Sequence, residues 1–248
     1  MAALDHLVVA ARTLAEGVAW CEQTLGITPG PGGEHPSMGT HNRLFAIGST
    51  VFPRAYFEII AIDPSAPHGR SEGADSPSGG RREAPWVSEV VAHRPRWFDL
   101  DDAVLQAAIA QGPQLVHWVA RTADLDAAIA ALAAQGIDAG SAQQLSRTTA
   151  HGELRWRIAV RDDGARLFGG ALPLPIEWGS VHPTDTLNNS GVTLASLRLA
   201  APDPVPLRRA LIALGLAAAD IAAAGSRGPA IAATLHTPRG AVTLTSPH

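Results

Sequence analysis

From Leu4 to Trp20 the chain reads LDHLVVAARTLAEGVAW. A mostly apolar run, broken only by Asp5 and His6, comes first, then a short polar turn. Apolar positions then recur at Leu14, Val18 and Cys21. The first pattern predicts a β-strand and the second, spaced i, i+4, i+7, predicts one face of a helix. The same pattern returns in LVHWVARTADLDAAIAALAAQGI, Leu115 to Ile137. A shift of 111 positions carries His6 onto His117, Leu14 onto Leu125, Val18 onto Ile129 and Cys21 onto Leu132. Thr13 and Asp124 stand where an N-cap belongs, and LGI and QGI place a glycine just past each helix.

The parts downstream match as well. THNRLFAIG and AYFEIIAID follow the first helix; AGSAQQLSR, ELRWRIAVR and LPLPIEWGS follow the second. Each unit therefore reads β-α-β-β-β. A shorter third unit opens with VTLASLRLAAPDPVPLRRALIALG, whose Leu207, Leu211 and Leu214 lie 82 beyond Leu125, Ile129 and Leu132, and closes with a hairpin around Pro238-Arg239-Gly240. Between the first two units, Asp63 to Trp97 is rich in Pro, Gly, Ser and charge and reads as an exposed loop, with a short helix starting near Asp101. The expected division is a first module over 1–63, an insert over 64–113, a second module over 114–180 and a partial third βαββ unit over 181–248. The expected fold class is α+β, with paired βαβββ modules forming curved sheets around a cleft.

One histidine stands inside each first strand, His6 and His117, and one acid inside each last strand, Glu58 and Glu177. Either histidine alone reads as a core residue satisfied by its neighbours. Together with two buried acids the pattern reads as a site, because a carboxylate on an apolar strand is costly unless paired or bound to a cation. His6, Glu58, His117 and Glu177 would form a 2-His-2-Glu set suited to a divalent metal such as Zn, Ni, Mn, Fe or Co. The third unit puts Leu199 at the histidine position and has no acid in its last strand, so a metal task would belong to the first two units.

Composition narrows the classes further. The formal net charge is -4 without a basic run, which speaks against nucleic acid as a partner. Cys21 is the single cysteine, so an internal disulfide is excluded and the residue reads as core. No apolar run reaches membrane-spanning length, and Asp5, His6 and Arg12 near the start do not resemble a secretory leader. The expectations are a cytoplasmic location, a small-molecule substrate, no membrane partner and a homodimer as one option.

LDHLVVAA, PGGEHPSMGTHNRLFAIG, EIIAIDP, RWFDLDD, LSRTTAHGELRWRIAV and TPRGAVTL resemble the glyoxalase-like domain family of bacterial proteins. That family sits within the vicinal oxygen chelate superfamily, with glyoxalase I, fosfomycin-modifying transferases, extradiol dioxygenases and methylmalonyl-CoA epimerase. The resemblance spans nearly the whole chain apart from Ser65–His93. It implies metal ligands at His6, Glu58, His117 and Glu177, and a binding-cleft role for His41 and Asn42. Read from the residues alone, Asn42 and Thr40 would hydrogen-bond a turn. Arg147 is a candidate for an anionic substrate group, with a solvated strand edge as the alternative. Trp156 faces core or cleft and is a further candidate for substrate contact. Trp178 points away from Glu177 and reads as packing, and the remaining histidines receive no role. The favoured activity is a metal-dependent lyase or isomerase acting on a small oxygenated molecule through an enediolate-like intermediate. Glu58 or Glu177 would be the general base, Glu177 preferred because its strand ends near the cleft rim. The alternatives are a metal-free binding or drug-sequestering protein, and an Fe-dependent extradiol-type dioxygenase.

Overall fold

The structure is a computed structural model that describes residues 2–66, 95–149, 152–216, 221–225 and 228–247. Most of the expected exposed insert, together with His68, His93, His151 and His248, lies outside the described residues. The first module runs β1 (Ala3–Ala10), α1 (Leu14–Thr24), β2 (Gly30–His35), β3 (Thr40–Ala46) and β4 (Tyr56–Ile62). A short helix α2 (Ala103–Ile109) then leads into β5 (Gln114–Arg121), α3 (Leu125–Ala133), β6 (Ser141–Thr149), β7 (Gly152–Val160) and β8 (Leu174–Trp178). The fold is α+β, with two βαβββ modules, as the periodicity predicts. The caps form at the expected residues: Thr13 accepts from the Glu16 amide and Asp124 from the Ala127 amide. Gly26 and Gly136 leave the helices at φ 75° and 73°, which a side chain would strain.

The two modules share one curved eight-stranded sheet, in the order β2-β3-β4-β1-β5-β8-β7-β6. β1 and β5 meet antiparallel at its centre, with His6 opposite Val119 and Val8 opposite His117. Each first strand runs parallel to its module's last strand, β1 beside β4 and β5 beside β8. The convex face packs on the helices. Leu7, Val9, Phe57, Ile59 and Trp118 join Cys21, Leu125 and Leu132 there in one core. The concave face carries a second cluster that includes Val8, Ile60, Trp97, Trp156 and Ile176.

β1 and β5 each contain a bulge, and the two bulges are symmetric. Leu4 pairs with Ala120 and His6 with Val119, which leaves Asp5 as the extra residue. Val8 pairs with His117 and Val9 with Leu115, which leaves Val116 as the extra residue in β5. The 111-residue shift maps Asp5 onto Val116. Because of the bulge, Leu4 and Leu7 share the convex core although they are three apart. Strict alternation would have put Leu4 on the face of His6 instead.

The third unit has one strand more than the expected βαββ order: β9 (Thr193–Ala201), α4 (Pro204–Ala213), β10 (Ile221–Gly225), β11 (Ile231–Thr237) and β12 (Gly240–Thr245). Its sheet order is β10-β9-β11-β12, with β10 parallel to β9. Unlike the modules, it places the strand after the helix beside the first strand, and the hairpin on the other side. β10 escapes the sequence pattern because IAAAG has neither alternation nor β-branched residues after its isoleucine. Leu199, Leu207 and Leu211 are buried in the convex core, so this sheet backs the modules and stays away from the concave face.

Candidate functional site

The concave face lines an inner cavity of about 30 Å³, room for one or two water-sized groups. β1 supplies His6, β3 Asn42, β4 Tyr56 and Glu58, and β6 Arg147. Trp97, Phe98, Trp156 and Trp178 make an aromatic wall. In β3 and β4 simple alternation aims the side chains: Asn42 stands opposite Ile60, and Glu58 opposite Leu44.

His6 lies between two carboxylates. Its Nδ1 is 2.7 Å from Asp5 Oδ1, and its Nε2 is 3.4 Å from a Glu58 oxygen. The imidazole stacks on Tyr56, with ring centroids 4.4 Å apart. The bulge makes the first contact possible. In a regular strand Asp5 would face away from His6, whereas here it turns beneath it. Asp5 is fully buried and also receives His182 Nε2 at 2.8 Å and Trp178 Nε1 at 3.1 Å. Burial alone would raise its pKa, but the hydrogen bonds from His182 and His6 hold it down at about 2. For His6, burial opposes the charge, yet its contacts with Asp5 and Glu58 raise its pKa to about 9. The other Glu58 oxygen accepts from Asn42 Nδ2 at 2.6 Å. Glu58 stays below its ordinary pKa although burial pushes the other way, because His6, His35 and Asn42 favour the carboxylate. His35, buried beside Asn42, is driven down to about 4, chiefly by burial.

Of the four residues expected to converge, the structure brings His6 and Glu58 together and leaves His117 and Glu177 elsewhere. His117 is on the concave face, but its Nε2 accepts the Leu174 amide proton at 3.2 Å and its ring packs against Phe98. Burial, then the positive charges of Arg166 and His6, keep it far below the ordinary histidine range. At the bulge it has Val116, where His6 has Asp5. Glu177 sits on the convex side. Its Oε2 accepts from the Leu125 amide at 2.8 Å, capping α3, and lies 3.4 Å from Arg157. The register explains the displacement. Val8 pairs with Glu58 in β4, and Val119, its repeat mate, pairs with Leu174 in β8. Leu174, not Glu177, is therefore the counterpart of Glu58, and a three-residue offset turns a side chain to the opposite face.

Among the other expected residues, Asn42, Arg147 and Trp156 line the inner cavity. His41 alternates with Asn42 along β3 and lines neither the inner cavity nor the groove outside it. Asp5, Tyr56, Trp97, Trp178 and His182 were not legible as site residues. An acid beside His6 was a visible signal, but its direction depends on a bulge that no periodicity reveals. Trp178 does point away from Glu177, and that direction is into the cavity.

The metal centre implied by the superfamily does not fit these residues. Only one histidine and one acid of the four occupy the concave site, and Leu174 and Val116 replace acids in the second module's half. Among the described residues, no group of three or more His, Cys, Asp or Glu side chains is placed to hold a metal ion. The same geometry keeps His6, His117 and Glu58 from forming the two-histidine, one-carboxylate set of an iron dioxygenase.

No helix among the described residues is long and apolar enough to cross a membrane. No curated protein sequence matches the chain. Among solved structures, a hypothetical protein from Staphylococcus aureus is similar with a TM-score of 0.55 and 14% identity, over 99% of this chain and 86% of that one. Methylmalonyl-CoA epimerase from Mycobacterium tuberculosis aligns with a TM-score of 0.36 and 16% identity, over 74% of this chain and 91% of that one. A single-residue variant of the Streptomyces coelicolor methylmalonyl-CoA epimerase, in complex with 2-nitronate-propionyl-CoA, aligns at 0.37 and 15%, over 72% and 96%. The family model described as the glyoxalase-like domain matches residues 4–215. On that match, which takes in both modules and reaches past α4, the chain belongs to the glyoxalase-like domain family.

Proposed function

We propose that this protein is an isomerase or lyase that moves a proton on a small oxygenated substrate, using His6 and Glu58 as an acid–base pair. The observation that carries this reading is the His6–Glu58 contact on the wall of the small inner cavity, at 3.4 Å, with the far side of His6 held by Asp5. No step is routed through a metal ion, because the donor set does not fit the four-ligand centre.

The chemistry follows from the positions. A substrate carbonyl docking against the pair from the cavity would meet the His6 Nε2 proton, which Asp5 keeps in place through Nδ1. The adjoining C–H would face the Glu58 oxygen that Asn42 leaves available. Glu58 takes that proton. The C–H bond breaks, its electron pair moves into the carbonyl, and the resulting enolate oxygen accepts a hydrogen bond from His6. Return of the proton to a different face or carbon yields the isomer, and loss of a neighbouring leaving group yields the lyase product. The aromatic wall excludes water and strengthens both charges.

The test is proton exchange. Incubation with a panel of hydroxyketones and 2-oxo acids in D2O, followed by NMR, should show deuterium entering beside the carbonyl of at least one compound. Glu58→Gln should slow that exchange by about two to four orders of magnitude. A chelator should leave it unchanged. Exchange that needs an added divalent metal would restore the metal-dependent reading. Binding without exchange across the panel would leave a binding protein.

A further inference from the structure

The inner cavity does not stand alone. A groove of about 620 Å³ opens beside it, lined by the edges of β2 and β6 and the segment 183–190. The two spaces share Leu44, Arg147 and Pro183. Arg147 therefore stands at the neck between a wide outer groove and a chamber that holds only a water-sized group or two.

Three features single out Arg147. Among the described residues it is the only Lys or Arg on either wall. Its Nε is buried without a hydrogen-bond partner, and its Nη1 reaches only Asn42 Oδ1, at 3.4 Å. Its position is also built for: a side chain on Gly33 would collide with the guanidinium, so β2 clears a place for an arginine coming from β6. A half-buried guanidinium whose Nε is shut off from water without a partner is costly unless a ligand completes it. The outer groove adds no further cation among the described residues. Thr28, Thr148, Asn188 and Ser190 offer neutral polar groups, and Phe45 and Leu154 apolar surface.

We propose that the substrate is an extended organic acid with a single carboxylate. The carboxylate is received by Arg147 at the neck, the oxygenated carbon beside it enters the inner chamber, and a neutral tail lies along the outer groove. One guanidinium on the two walls suits one negative charge rather than a phosphate dianion. This inference rests on the inner chamber being the reaction site.

Calorimetric titration of the full chain with 2-oxo acids from pyruvate to 2-oxooctanoate, and with the primary amides of the same acids, tests it. Affinity should rise with chain length, and each amide should bind at least about tenfold more weakly than its acid. Arg147→Gln should weaken the acids by about 10- to 100-fold and leave the amides unchanged, Arg147→Lys should recover part of the loss, and Gly33→Ala should mimic the loss by displacing the guanidinium. Equal binding of acids and amides, indifference to Arg147→Gln, affinity that falls with length, or no binding by any acid would each overturn the proposal. So would methyl phosphate binding more tightly than acetate. Carboxylate selectivity without proton exchange in D2O would overturn the acid–base assignment and leave this inference standing.

Discussion

A carboxylate with no exposed surface survives only where donors surround it, and Asp5 has three, from His6, His182 and Trp178. That arrangement fixes the charge of His6. Its pKa is raised from 6.5 to about 9 in the folded protein, so it binds a proton more tightly there than in the unfolded chain. The stability it contributes is fully present below pH 6.5 and is lost as pH rises through about 9. His35 works in the opposite sense. With a folded value near 4, it stays neutral while the unfolded chain gains a proton, so its effect weakens the fold as pH falls below 6.5. Urea unfolding at about pH 6.5 and about pH 9.5 should show wild-type stability declining toward the alkaline value. In His6→Gln that decline should be smaller, leaving the part due to the Cys21 thiol, which burial pushes up to about 12. An equal alkaline loss in both proteins would show that His6 carries no proton at neutral pH. Asp5→Asn tests the same cluster differently. It removes the buried charge that faces His6, and the His6 titration should then move well down toward the ordinary histidine range by NMR.

At the scale of elements, the repeat was legible where side-chain spacing is local and misleading where loop length intervenes. The strand–helix starts obey the 111-residue shift. The last strands do not, because the connection from β7 to β8 is longer than its counterpart, and matching by residue type selected Glu177. The paired strands instead place Leu174 opposite Val119, and Glu177 at the start of α3. The bulges were invisible for a similar reason, since one extra residue changes facing without changing composition. Glu177 therefore serves as a helix cap. Glu177→Ala should destabilise the protein by about 0.5–2 kcal/mol, measured by thermal or urea unfolding. Proton exchange and carboxylate binding should remain near wild type. A hundredfold loss of exchange in Glu177→Gln, with stability unchanged, would return the base role to Glu177.

At the scale of the whole molecule, the backing sheet and the modules share one core. Leu199, Leu207 and Leu211 pack in the same cluster as Trp118 and Leu132. Leu199→Ala should cost about 2–5 kcal/mol and lower a single cooperative transition. Two separated transitions would mean that the third unit folds on its own. Alternation, caps and the repeat were enough to read the α+β class and the pairing of modules, because both are carried by local spacing. The asymmetry of the site was not readable, because it arises from register between distant strands. Module one keeps Asp5, His6 and Glu58, while module two keeps only His117, beside Val116 and Leu174. Long-range 1H–15N spectra of the histidine side chains at about pH 7.5 test that asymmetry most directly. His6 should carry protons on both ring nitrogens, and His117 a single proton on Nδ1, with Zn²⁺ at equimolar concentration leaving His117 unmoved. Two neutral rings that shift together when Zn²⁺ is added would contradict the one-sided acid–base site and support a shared metal centre.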